Sequence, residues 1–219
     1  MQYVYTTRRL PRRTRKETAM AFIIKETAKG IQTIPIEDAF LMRRVVFLTS
    51  AVDAATSSEL IKQLLHLEAD APGKPITFYI NSPGGDVMSG LAVYDCIRLI
   101  SAPVRTVCIG TAASMGSILF LAGEERLMLP HSQIMIHDPS YSHADYSHKK
   151  PDEIEEEIAE LKKTRDTLCT IIADRTGQPL DSIYEKTKLD SWFPAQEAIG
   201  FGLATGIIAS ADAITHPEV

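Results

Sequence analysis

Cys108-Ile109-Gly110-Thr111-Ala112-Ala113-Ser114-Met115-Gly116-Ser117-Ile118-Leu119 reads as an apolar strand that ends in small residues and turns, at a serine, into an apolar helix. Such a turn pushes the hydroxyl into the open, and the small neighbours let the chain bend sharply and a substrate approach. The backbone N–H groups that follow have no partner within the helix, so they face any oxyanion that develops there. Ala112, Ser114 and Gly116 stand in the small-x-Ser-x-Gly spacing of a nucleophile elbow. The same segment also fits a plain serine N-cap on a buried helix.

Working outward, strand patterns alternate with helix patterns. Val45-Val46-Phe47-Leu48 predicts a short buried strand, and Ser57-Ser58-Glu59 predicts the cap of a helix carrying Leu60, Ile61, Leu64, Leu65 and Leu67. Pro72-Gly73 breaks that helix, Ile76 to Ile80 is the next strand, and Asn81 to Asp86 is a tight turn. A helix follows over Val87 to Ile100, then a strand over Val104 to Ile109 leads to Ser114. This β-α-β spacing with short connections implies an α/β fold with parallel strands and helices packed on the sheet. Ligands in such folds gather at the C-terminal ends of strands, where both Gly84-Gly85 and Ser114 fall.

Downstream, Arg126 to Leu129 and Gln133 to Ile136 read as short strands flanking Pro130, and Asp138 to Lys150 is polar and irregular. Pro151 suits the first position of a long helix reaching about Asp174, with acids in its first turns and Gly177 as its stop. Ile154, Ile158, Leu161 and Leu168 form one apolar stripe, read as packing against protein; the acids from Asp152 to Glu160 read as a solvated face.

A chain of 219 residues, 45% apolar and 23% charged, suits one soluble globular domain. Its net charge of −5 gives no reason to expect nucleic acid or an anionic membrane as partner. Cys96, Cys108 and Cys169 are odd in number and far apart, so they predict core thiols of a reducing, cytoplasmic compartment rather than disulfides or a zinc site. No apolar run reaches membrane-spanning length, and no secretory-type apolar core stands near the start. Residues 1–20 carry Arg8, Arg9, Arg12, Arg13, Arg15 and Lys16 with little to bury. This basic extension is expected to be disordered or removed, with Met20 an alternative start, and 21–219 to form a single domain.

A serine hydrolase needs a base for the hydroxyl proton and a group to orient that base. His137 ends the strand Ile134-Met135-Ile136 and is the best-placed histidine, although a satisfied structural histidine has the same local sequence. His131 reads as structural. His143 and His148, with Asp145 between them, suggest metal only weakly and read as a solvated loop. Asp190, in the turn Leu189-Asp190-Ser191-Trp192-Phe193-Pro194, is the candidate orienting acid; Asp138 and Asp86 compete with it. Gly84-Gly85 does not belong to a dinucleotide fingerprint. It is either a plain turn or the source of a backbone N–H that joins that of Met115 in an oxyanion hole. Losing one such donor typically costs about 3 kcal/mol of transition-state stabilisation.

Several separate motifs resemble one family: Tyr79 to Gly85, Gly110 to Gly116, Leu129-Pro130 with Ile134 to His137, and Thr176-Gly177-Gln178. They resemble, in order and from about Phe22 to Ile208, the proteolytic subunit of the Clp protease (ClpP family). The resemblance implies a ClpP/crotonase-like spiral of β-β-α units with a protruding handle of helix and strand over about 138–175. It assigns Ser114 as nucleophile, His137 as base and Asp190 as orienter, with the backbone of Gly85 and Met115 as the oxyanion hole. It implies a serine endopeptidase that self-associates into heptameric rings, two of them stacked, around a closed chamber. An AAA+ unfoldase feeds unfolded protein into that chamber and uses the ATP, so this chain is expected to need no cofactor or metal of its own.

The chain departs from the family pattern in places. The glycine-rich strand after the histidine is here Ser140 to Tyr146, and the residue after Asp190, often arginine in the family, is Ser191. Thr77 stands where an aromatic commonly lines the docking pocket for the unfoldase, although Tyr79 remains. These changes suit a paralogous subunit of a mixed ring, and leave a catalytically weak structural subunit as the alternative. A crotonase-type acyl-CoA enzyme would share the fold and a two-donor oxyanion hole, but needs no Ser-His-Asp set.

Overall fold

In the computed structural model, which describes residues 21–27, 30–141 and 147–210, internal contacts divide the chain into two units, Met1–Val45 and Val46–Val219. In the first, β1 (Phe22–Thr27) pairs antiparallel with β2 (Gly30–Pro35), Thr27 opposite Gly30, and α1 (Ile36–Leu41) follows directly. The basic stretch 1–20 lies outside the described residues, as do 142–146 of the altered handle segment, including His143 and Asp145.

The second unit follows from β3 (Val45–Leu48) and α2 (Ala54–Asp70). The helix starts three residues before the expected Ser57 cap, because Asp53 and Thr56 close the box instead. Asp53 Oδ1 accepts the Thr56 N–H at 2.8 Å, and Thr56 Oγ1 accepts the Asp53 N–H at 2.9 Å. A threonine doing the work of the usual Glu or Gln hides this cap from a motif search. Leu60, Leu64 and Leu67 face the core and Leu65 faces outward, as a 3.6-residue period requires.

β4 (Ile76–Ser82), α3 (Val87–Leu99) and β5 (Val104–Ala113) continue the alternation. Then come α4 (Met115–Leu121), β6 (Glu125–Met128), β7 (Gln133–Ile136), α5 (Pro151–Thr176), α6 (Leu180–Thr187), β8 (Ser191–Pro194), α7 (Ala195–Phe201) and β9 (Gly206–Ile207). β4, β6 and β7 run parallel to β5, β9 runs parallel to β6, and β8 runs antiparallel to β7. The result is the expected mixed α/β fold with a mostly parallel sheet.

β5 runs four residues past the expected end at Ile109, because its two halves serve different partners. Arg105 to Cys108 pair with β6, whereas Thr111 to Ala113 pair with β7. Between them the register against β4 slips, so that Ser82 stands opposite Ala112. The Asn81 side chain fills the slip: its Oδ1 accepts the Thr111 N–H at 3.0 Å, and a Cβ on Gly110 would sit 2.5 Å from that oxygen. The branch delivers Ser114 to the point where the sheet divides.

All seven residues of α4 are buried, which fits a sequence that is apolar except for Ser117, whose hydroxyl is satisfied by Ser114 O. Burying each of its large side chains contributes about 1.5–3 kcal/mol. α5 is the opposite case. Only Leu168, Cys169 and Ile172 are buried. Of the expected stripe, Leu168 alone packs as predicted; Ile154 and Leu161 are half-buried and Ile158 is exposed. Pro151 opens the helix and Gly177, at φ 74°, closes it in the left-handed conformation that favours glycine. No helix among the described residues is long and apolar enough to cross a membrane.

Candidate active site

Ser114 joins β5 to α4 with φ 53° and ψ −125°, a backbone conformation that costs a residue with a Cβ on the order of 1–3 kcal/mol. Hydrogen bonds at both its N–H and its carbonyl hold it there. The Ser114 N–H donates to Met135 O on β7 at 2.9 Å, and Ser114 O accepts the Ser117 hydroxyl at 2.6 Å. The side chain makes no capping bond to the helix, so the plain N-cap reading does not describe it. Its Oγ instead lies 2.9 Å from His137 Nε2.

Strand register explains how two distant segments meet that hydroxyl. On one side of β7, Ala113 stands opposite Met135, so the residue after Ala113 lies beside the end of the strand. On the other side, antiparallel pairing sets Ile136 opposite Ser191, so the next pair along is His137 and Asp190. His137 Nδ1 lies 3.0 Å from Asp190 Oδ1. With Nδ1–H donating to the carboxylate, Nε2 is left to accept from the Ser114 hydroxyl. The His137 side chain is 27% exposed and that of Asp190 62%, so the acid meets solvent while the base is partly enclosed.

Neither competing acid is bonded to His137. Asp86 caps α3, accepting the Ser89 N–H at 2.8 Å, and the Ser89 hydroxyl and then its N–H hold the carboxyl below its ordinary value. Asp138 donates its N–H to Thr187 O at 2.7 Å, and one oxygen of its carboxylate is buried without a partner among the described residues. His131 is exposed. Among the described residues no three His, Cys, Asp or Glu side chains gather to hold a metal.

Gly84-Gly85 lies against the serine turn. Val52 N–H donates to Gly84 O and Asp86 N–H donates to Val52 O, both at 2.8 Å, in a parallel bridge between Val52 and Gly85. A trans peptide points its C=O and N–H in opposite directions. With Gly84 O turned to Val52, the Gly85 N–H points away from it. Gly84 itself packs on the turn: a Cβ there would lie 2.6 Å from Ala113 O, 2.7 Å from Ser114 Cβ and 2.8 Å from Met115 N. The Gly85 and Met115 amides are therefore brought to one neighbourhood beside Ser114.

Sequence reasoning did not single out Ser82 or Val52, which hold this loop. Ser82 is buried, donates its hydroxyl to Ser50 O at 2.6 Å and accepts the Gly84 N–H at 3.1 Å. Its place within the Asn81 to Gly85 turn was the available signal. Val52 offered none, because only its main chain takes part.

Compared with known proteins, residues 28–211 match the family model described as Clp protease. The match spans the described site from the Val52 bridge to Asp190 and ends before the C-terminal residues.

Proposed function

The chain belongs to the Clp protease family, and on that premise we propose that it is a serine endopeptidase, the proteolytic subunit of an ATP-dependent Clp protease. Ser114 Oγ attacks the scissile carbonyl carbon as His137 Nε2 takes its proton. Asp190 holds the imidazole in the tautomer that leaves Nε2 free and offsets the charge it gains. The carbonyl oxygen, now an oxyanion, takes the N–H groups of Gly85 and Met115. His137 then returns the proton to the leaving amine, and water repeats the sequence on the acyl-enzyme. No metal or cofactor enters any step.

The observation that carries this reading is the pair of contacts at His137, 2.9 Å to Ser114 Oγ and 3.0 Å to Asp190 Oδ1. The family resemblance supports the wider proposal of two stacked heptameric rings around a chamber, unfolded-protein substrates and an AAA+ unfoldase that spends the ATP, as in protein quality control; the proposed cytoplasmic location draws on the three free cysteines. Sequestration in a chamber supplies the selectivity that a sequence-tolerant peptide site lacks. A second reading, a weakly active subunit that works beside an active paralogue, draws on the 62% exposure of Asp190 and on Ser191 in the place of arginine. Hydrolysis of a fluorogenic peptide, measured with native mass, tests both. Turnover by the homomeric particle, lost in Ser114→Ala, supports the first. Rings that turn over only when a paralogue is added support the second, and homomeric turnover undiminished in Ser114→Ala would overturn both.

A further inference from the structure

Arg126 and Arg175 are two guanidinium groups that the proposed chemistry does not use. Arg126 is 8% exposed and Arg175 is half-buried. Arg126 donates to Leu203 O (2.8 Å), Gly202 O (3.2 Å), Arg175 O (3.2 Å) and Gly123 O (3.5 Å). Arg175 donates to Leu121 O (2.8 Å) and Gly123 O (2.6 Å). Every one of these acceptors is a main-chain carbonyl, and among the described residues neither side chain pairs with a carboxylate. Burial pulls both below the ordinary arginine value, followed by the charge of Arg175 at Arg126 and the charge of Arg98 at Arg175. Two like charges held together at that cost point to a purpose beyond surface charge.

Their acceptors are the C-terminal ends of three helices. Leu121 O and Gly123 O end α4, Arg175 O belongs to the last turn of α5, and Gly202 O and Leu203 O follow α7. The ends are in contact: a Cβ on Gly202 would lie 2.5 Å from Thr176 O. Terminal helix carbonyls have no partner within their own helix, and those of buried α4 cannot turn to water. A planar fork with fixed donor directions satisfies several at once and sets their relative positions, which an ammonium on a flexible stem does not.

We propose that Arg126 and Arg175 are positioning residues of the active site, acting through α4 on the Met115 N–H and the Ser114 turn at its other end. The inference rests on the peptidase reading above. α4 is about 10 Å long at 1.5 Å per residue and is packed on all sides, so it moves as one piece. Its N-terminal end is held by the Ser114 bond to Met135, and its C-terminal end by Arg175 on Leu121 O and by the Thr106 hydroxyl, which donates to Phe120 O at 2.7 Å. Loosening the far end by removing the Arg175 fork lets the last turn shift, which displaces a donor that must meet the oxyanion at hydrogen-bond distance. Misplacement of a reacting group by 1 Å costs on the order of a hundredfold in rate; a shift of a few tenths of an ångström corresponds to about tenfold. Substrate binding, which depends on other surfaces, is spared.

The test uses the full-length protein, with Arg175→Gln, Arg175→Lys and Arg126→Lys. Each is assayed for kcat and KM on a short unstructured peptide and for affinity to a peptidyl boronate, whose tetrahedral adduct places an oxygen in the oxyanion hole. Arg175→Gln is expected to lower kcat about tenfold with KM unchanged, and to weaken the boronate by a similar factor. Arg175→Lys, which keeps one donor group and the charge, is expected to recover part of both losses. If Arg175→Gln does not fold, Arg126→Lys, which keeps the charge but cannot reach all four carbonyls, is expected to lower kcat and boronate affinity in the same direction by a smaller factor, about threefold, with KM unchanged. A lower Tm with kcat and boronate affinity within twofold of wild type in the folded fraction would make the arginines structural only and overturn the inference. A folded wild-type protein that neither cleaves peptide nor takes the boronate would instead remove the peptidase reading, and this inference with it.

Discussion

Replacing Gly84 by alanine tests how tightly the loop is fitted to the serine turn. Its φ of 90° lies in the left-handed region, which costs a residue with a side chain about 1–2 kcal/mol. The added Cβ would lie 2.6 Å from Ala113 O, 2.7 Å from Ser114 Cβ and 2.8 Å from Met115 N, none of them the far end of a flexible side chain. Moving from 2.6 Å to the 3.4 Å of ordinary contact separates the loop from the turn by about 0.8 Å, close to the displacement that costs on the order of a hundredfold in rate. Overpacking adds about 1–3 kcal/mol to the strain. Gly177→Ala is the control: its φ is 74°, but a Cβ there meets nothing within 4 Å. Both variants should lose stability in urea titrations, Gly84→Ala by roughly 2–5 kcal/mol and Gly177→Ala by about 1–2 kcal/mol. Only Gly84→Ala should lose kcat, by about a hundredfold. Near-normal turnover in Gly84→Ala, or an equal rate loss in Gly177→Ala, would refute the argument from fit.

Ser82→Ala leaves Ser50 O and the Gly84 N–H without their partner; it should cost about 1–3 kcal/mol in urea and lower kcat more than it raises KM. Asp190→Ala should reduce kcat by at least about two orders of magnitude. With its side chain 62% exposed, it should fall short of the loss seen for Ser114→Ala, as single-turnover acylation will show. Asp86 has a folded carboxyl value below the ordinary 3.8, so its charged form contributes stability above that pH and the contribution fades as pH falls through the lower folded value. Asp86→Asn, which keeps a capping side chain, should therefore be less stable than wild type at pH 7, with the gap closing below pH 3.8 in parallel urea titrations.

The strand-to-helix turn at Ser114 was legible because it depends on local composition: small residues before a serine and an apolar run after it. His137 could be read from its place at a strand end. Asp190 could not be separated from Asp138 or Asp86 by spacing, because the choice rests on the antiparallel register of β7 and β8, and β8 is only four residues long. The same limit hid the branch of β5, where Asn81 absorbs a register slip that no periodicity records. Val52 acts through its main chain, and main-chain contacts leave no signature in residue type. Ile154, Ile158 and Leu161 show the converse, since an apolar stripe reports that something covers a helix without saying whether it belongs to the same chain. Arg126 and Arg175 lie 49 positions apart with no spacing that links them; only the convergence of three helix ends gives them a shared place.

The most direct test of the central claim is covalent labelling of the purified full-length protein with a fluorophosphonate, followed by peptide mapping of the labelled residue. One label per chain on Ser114, slowed strongly in His137→Ala and absent in Ser114→Ala, is the result this account predicts. A folded protein that stays unlabelled at Ser114 while a paralogue and unfoldase are supplied, or one that carries its label on another serine, would contradict it.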